Sequence, residues 1–156
     1  MFRPMRRSKQ ALTPDQCVQV LEQEPRGVLS VHGEGGYPYG FPMDHLYLDG
    51  RLYFHCAREG HKLDAITADD RVSYCVMDQG FRREGEWALN IQSVIVFGRV
   101  RKVADPARRE DIARQLGLKY NPSPQAVEEE LERALDRAEI LELTIDHMTG
   151  KLVNES

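Results

Sequence analysis

The chain reads as a mainly β protein, a small β-barrel with flanking helices. Three observations predict this. Six or more short runs are β-branched or alternate between apolar and polar residues. Tight-turn signals join several of them. Only three strong helix starts interrupt the series, which argues for one small barrel rather than a doubly wound parallel sheet.

Taken in order, Thr13-Pro14-Asp15-Gln16 opens the first helix with an N-cap threonine, proline at the first helical position and glutamine at N3, a capping box. Cys17, Val18 and Leu21 supply its apolar stripe. Val28–His32 is a strand that ends in the turn Gly33-Glu34-Gly35-Gly36. Tyr37–Met43 and His45–Leu48 follow as extended segments. Asp49-Gly50 is a favoured two-residue hairpin turn and leads into Arg51–His55. Arg71–Met77 alternates, with Val72, Tyr74 and Val76 on one face. Asn90–Val103 is a long β-branched run in which Gly98 marks a bulge or bend. Asp105-Pro106 and Ser123-Pro124 repeat the cap-then-proline signal. The segment 105–139 is therefore helical and packed on the barrel, with Val127, Leu131, Ala134, Leu135 and Ala138 on one face. Ile140–Ile145 alternates as a last strand.

The whole chain, 1–156, is expected to be a single domain, since its length is typical of one and no linker or repeat divides it. A net charge of −4 and a sequence pI near 5.7 give no general attraction to nucleic acid or to anionic membranes. No apolar run approaches the ~20 residues of a spanning helix. The opening residues 1–10, MFRPMRRSKQ, form a basic arm with no apolar run behind it, unlike a signal peptide. This arm is either a solvated terminus or a cover for an anionic ligand. Three cysteines, Cys17, Cys56 and Cys75, lack metal or redox spacing and suit a reducing, cytoplasmic setting.

The stretch Tyr53–Ile66 carries the most chemistry. A strand ends near Cys56, the chain turns through Gly60, and a short helix starts at about His61, with Leu63 and Ile66 as its buried side. Its first-turn N–H groups and partial positive charge suit an anion, and His61, Lys62 and the nearby Arg58 add donors. Basic residues there oppose the helix dipole unless an anion compensates. The competing reading is a solvated turn with incidental basic side chains. No Ser-His-Asp order or paired-carboxylate pattern supports hydrolysis.

Phe54-His55-Cys56-Ala57 followed by Gly60-His61-Lys62-Leu63 resembles the flavin phosphate motif of the pyridoxamine 5′-phosphate oxidase-like split barrels. Gly36–Met43, Met5-Arg6-Arg7, Ser93–Gly98 and His147–Lys151 resemble, in order along nearly the whole chain, the nitroimidazole-resistance branch of that family. The resemblance implies an FMN-binding split barrel, a homodimer with cofactor at the subunit interface, and an oxidoreductase acting on a small-molecule substrate such as a nitro-aromatic or quinone-like acceptor. Carried over by position, Pro42, Met43 and Asp44 would run beside the isoalloxazine, and His55 and Cys56 would stand at the ribityl-phosphate chain. His61 and Lys62 would hold the phosphate; the oxidases proper usually carry arginine at the first of these positions. Ser93 would contact the flavin, and Thr149 and Lys151 would approach the site. The Arg/Trp substrate residues of true pyridoxamine phosphate oxidases are not evident near the C-terminus.

A flavin would supply the redox chemistry, with His55 or His45 as proton donor, since an imidazole titrates near working pH. His45, which begins a strand, reads first as a hydrogen-bonded structural residue, whereas His55 is balanced between the two roles; His32 and His147 read as partly exposed. Cys56 is a candidate nucleophile set against a buried thiol, and Trp87 is expected in core or dimer packing. Alternatives are a flavin-binding or sensing protein without turnover, a deazaflavin in the same groove, haem with His55 or His147 as axial ligand, and a zinc site from His55, Cys56, His61 and Cys75.

Overall fold

The structure, a computed structural model, describes residues 1–155. After a 3-10 turn at Ser8–Gln10 come α1 (Pro14–Gln23), β1 (Arg26–His32), β2 (Pro38–Asp44), β3 (Leu46–Leu48), β4 (Arg51–Ala57), α2 (His61–Ala68), β5 (Arg71–Met77) and β6 (Leu89–Lys102). Helices α3 (Pro106–Tyr120) and α4 (Pro124–Ala134) and the strand β7 (Ala138–Glu155) complete the chain.

The seven strands form one antiparallel sheet in the order β2-β1-β5-β6-β7-β4-β3. It curls into a half-barrel around a core that includes Leu29, Leu52, Phe54, Tyr74, Val94, Val96 and Leu143. The three helix starts are as the sequence predicts. Thr13 and Gln16 close a reciprocal capping box, and Asp105 and Ser123 cap α3 and α4 from just before a proline. Asp49 and Gly50 both take positive φ in the tight turn that sets Leu48 opposite Arg51.

The bulge expected at Gly98 is present. The β6/β7 register shifts between Phe97 and Gly98, so that Phe97 faces His147 and Gly98 faces Ile145. A Cβ on Gly98 would lie 2.1 Å from the Thr144 carbonyl, so the close approach of the strands there requires glycine. The last strand is much longer than the expected Ile140–Ile145, because its polar second half still pairs with β6 as far as Glu155. The helical segment ends earlier than 139, since β7 already begins at Ala138.

Helices α3 and α4 cover only part of the outer side of the sheet. A second apolar cluster, Tyr53, Val103, Ile112, Leu116 and Ile140, lies beneath α3. On the other part of the outer side, the strands carry Val28, Cys75, Met77, Ile95 and Phe97 in register across β1, β5 and β6, all exposed. No helix of the described chain is long and apolar enough to cross a membrane.

Candidate functional site

Strand β2 is the last strand at one edge of the sheet. It comes against β4 without pairing to it, which leaves a seam between the two. At one end of this seam stands the start of α2. Gly60 precedes it at φ 133°, a conformation suited to glycine, and no side chain caps the helix. The first-turn N–H groups therefore have no side-chain acceptor. The His61 ring stacks on Tyr39, centroids 4.2 Å apart and planes 12° apart, and the Lys62 ammonium lies 5.0 Å from the centre of the Phe41 ring. Tyr39, Cys56, Ala57, Gly60, His61 and Lys62 line a pocket of about 220 Å³ here. Tyr39 and Phe41 are site residues that the sequence reading missed, although period-2 alternation in β2 puts both on one side of the strand.

Cys56 is partly buried. Burial raises its thiol pKa more than the Lys62 charge lowers it, so the sulfur stays protonated and is no activated nucleophile. Among the described residues, no three His, Cys, Asp or Glu side chains gather around a point where one metal ion could sit, so the zinc reading has no geometry behind it.

His55 follows Phe54 in β4 and precedes Cys56, so it points to the opposite side of the strand from the thiol. The structure thus separates the two motif neighbours. Cys56 lines the pocket at α2, whereas the exposed His55 lines a second pocket of about 230 Å³ on the other side of β4. Asp44 also lines this second pocket and accepts a hydrogen bond from Arg26 Nε at 2.6 Å. Of Pro42, Met43 and Asp44, Pro42 is exposed and Asp44 half-buried, while Met43 is buried and its carbonyl lies 2.8 Å from the Tyr74 hydroxyl.

His45 is structural, and the proton-donor reading for it is overturned. It is fully buried, and its Nε2–H donates to the Leu21 carbonyl at 2.6 Å. Nδ1 is then the acceptor for the Tyr74 hydroxyl at 2.7 Å. Burial, reinforced by the nearby Lys119 charge, depresses its pKa to about 4. Around it, the His45 N–H donates to the Tyr120 hydroxyl at 2.8 Å, and Lys119 Nζ donates to the carbonyls of Glu24 (2.9 Å) and His45 (2.8 Å). Burial lowers the Lys119 pKa to about 8. These bonds tie the end of β2 to the end of α3.

Ser93, Thr149 and Lys151 line neither pocket. They lie on the bare outer side of the sheet, where Ser93 faces Lys151 and Ile95 faces Thr149. The basic arm is also here. Ala11 bridges to Lys151, Leu12 N–H donates to the Gly150 carbonyl at 2.8 Å, and the Phe2 ring stacks on His147 at 4.7 Å and on Phe97 at 5.3 Å. The arm is anchored at both ends, with Arg3, Arg6, Arg7 and Lys9 exposed between. Trp87 is 87% exposed in the loop between β5 and β6, which excludes a core role within the chain.

Comparison with known proteins follows the same lines. No curated protein gives a significant match. Among solved structures, a candidate 5-nitroimidazole antibiotic resistance protein from Bacteroides thetaiotaomicron superposes with a TM-score of 0.78 at 18% identity, over 93% of this chain and 87% of that one. A FAD-binding protein from Mesorhizobium loti gives 0.68 at 21% identity, over 92% and 97%. A FAD- and haem-binding protein from Mycobacterium smegmatis gives 0.73 at 22% identity, over 92% and 73%. At these identities the likeness is one of fold, the flavin-binding split barrel. The family model described as pyridoxamine 5′-phosphate oxidase matches residues 13–152, most of the chain, and the protein belongs to that family.

Proposed function

We propose that the protein is an FMN-dependent oxidoreductase of the nitroimidazole reductase-like type, a cytoplasmic homodimer that passes electrons to a small acceptor. The seam between β2 and β4 carries this reading. It has a pocket with His61 and Lys62, edged by Glu59, on one side of β4 and the exposed His55 imidazole on the other. From Tyr39 to Asp44 it runs five strand steps, roughly 17 Å at ~3.3 Å each, comparable to an extended flavin mononucleotide. His61, Lys62 and the uncapped N-terminus of α2 suit a dianionic phosphate, because oriented N–H groups and charge-assisted hydrogen bonds are strongest toward an anion. Pro42 and Asp44 would flank the ring system.

Bound flavin would supply the electron transfer itself. The chain's part would be to orient the ring along the seam and to move a proton at His55 Nδ1 or Nε2, which no group among the described residues holds in a hydrogen bond. The bare apolar side of the sheet is the surface on which a second copy would close over the site, bringing Ser93, Thr149 and Lys151 toward it.

The test is the absorbance spectrum of the purified protein before and after addition of FMN, with chromatography of the released cofactor. A two-band flavin spectrum with FMN released supports the reading. FAD on release, or a Soret band, replaces the cofactor by the ones named for the M. loti and M. smegmatis proteins. A colourless protein that ignores FMN but binds a deazaflavin overturns FMN in favour of that cofactor. Bound FMN that no acceptor reoxidises faster than free FMN leaves a sensor rather than an enzyme.

A further inference from the structure

The pocket beside His55 is a built cavity with its own chemistry. Its inner wall is made by Leu116 and Ile140, both buried, and its side by Leu131, Ala134 and Leu135 at the end of α4. Leu131 and Ala134, with Leu135 in the 3-10 turn just after the helix, continue the apolar stripe of α4, yet only Val127 of that helix is fully buried. The stripe therefore faces an open space instead of packing on the sheet. An apolar cavity of about 150 Å³ is enough to hold benzene, and this one measures about 230 Å³.

The polar groups at its edge set the ligand's charge. Asp44 and Glu130 are carboxylates, each already paired with an arginine, Arg26 and Arg133. No lysine or arginine lines the space. An anionic guest would give up its hydration against apolar walls and meet no cation that is not already paired with a carboxylate. His55 is the remaining polar side chain of the lining that has no hydrogen-bond or ion-pair partner among the described residues, and it is exposed.

We propose that this cavity between α4 and β4 is the acceptor pocket. It takes a neutral, flat, apolar molecule of one or two rings, whose polar edge meets His55 while its ring lies against Leu116, Ile140 and Leu131. The proposal rests on the flavin reading for its role in turnover, but not for binding itself. The guest enters on the side of β4 opposite the pocket at α2, next to Asp44 at the end of β2, where the ring of the proposed flavin would lie.

A related pair of probes tests it: 4-nitrotoluene, which is neutral, and 4-nitrobenzoate, which carries a carboxylate where the other has a methyl group. Equilibrium dialysis is run on the full protein with and without FMN, alongside FMN affinity by fluorescence quenching. The wild type is expected to bind 4-nitrotoluene at least about tenfold more tightly than 4-nitrobenzoate, a difference of about 1.4 kcal/mol. Ala134→Phe, at a half-buried position that can accept the larger ring, should weaken 4-nitrotoluene binding about tenfold or more and leave FMN affinity unchanged. Leu131→Ala, which removes a wall without filling the space, should weaken it by a smaller factor. Equal binding of the two probes, or an Ala134→Phe variant that folds, binds FMN and still takes 4-nitrotoluene normally, overturns the pocket and leaves the flavin reading intact. A protein that fails to bind FMN yet shows the expected probe pattern overturns the flavin reading and leaves the pocket. If Ala134→Phe does not fold, the Leu131→Ala ratio decides alone, and no change in it counts against the proposal.

Discussion

The outer side of the sheet has two halves, each carrying large apolar side chains, and they are treated differently. One half, around Tyr53 and Ile140, is sealed by α3 with Ile112 and Leu116. The other, around Val28, Met77, Ile95 and Phe97, stays exposed, with the Phe2 ring of the N-terminal arm stacked on Phe97. Burying such side chains is worth roughly 1.5–3 kcal/mol each, so the bare half is a surface still waiting for a cover. The difference teaches that this chain covers one side of its sheet with its own helices and leaves the other open, the side on which the proposed second copy would sit. The seam, with both pockets, runs along the boundary.

The strongest way to break the comparison is a charge on the bare half. Ile95→Arg should leave the monomer folded but abolish self-association, since a charge trapped in an apolar interface costs about 3–5 kcal/mol. Sedimentation should show a monomer with much weaker FMN binding. A dimer that persists with flavin bound would place the interface elsewhere. On the sealed half, Leu116→Ala should do the reverse. It should cost about 2–5 kcal/mol of folding stability in urea and leave the oligomeric state at matched fraction folded unchanged.

His45 joins the halves, tying the end of β2 to α3, and makes the junction acid-sensitive. Its imidazole is neutral when folded, with a pKa of about 4, but takes a proton near 6.5 when unfolded. Below 6.5 the unfolded chain therefore binds a proton that the folded one refuses. Stability from this group is complete above pH 6.5 and is lost as pH falls toward 4, by on the order of 3 kcal/mol. Urea midpoints measured from pH 7.5 to 4 should fall accordingly. A His45→Gln variant, weaker at neutral pH, should show a flatter profile; an identical slope would remove His45 as the cause. The smallest effect is at the seam itself. Lys62→Ala should weaken FMN by about 1.5–3 kcal/mol, the worth of one charge-assisted hydrogen bond, without altering stability. Unchanged affinity would move the phosphate away from α2.

Much of this was legible in the sequence because it is written in local chemistry. The capped helix starts, the Asp49-Gly50 turn and the Gly98 bulge each depend on a few neighbouring residues with fixed backbone preferences. The cationic end of the seam was legible for the same reason, since Gly60, His61 and Lys62 are contiguous. What escaped depends on distant parts of the chain. The second half of β7 lacks the apolar alternation of a strand, and only pairing with β6 makes it one. His55 and Cys56 were read as one feature, although alternation in β4 already implied opposite directions. The stripe on α4 was read as a packed face, because nothing in 124–138 reports how much room the sheet leaves beneath it. Trp87 is exposed in the single chain for the same reason: its surroundings are not encoded next to it.

The bulge opposite Gly98 has one further consequence. Outward positions on β7 are even-numbered through Thr144 and odd-numbered from His147, and Asp146 is the extra residue between them. Deleting Asp146 would restore an unbroken ladder and keep His147, Thr149 and Lys151 pointing as they do now. Only the bend of the ribbon would change. Curvature and surface chemistry are thus separately adjustable in this protein, and a single-residue deletion would vary the angle between the helix-covered and bare halves while every exposed group stayed the same.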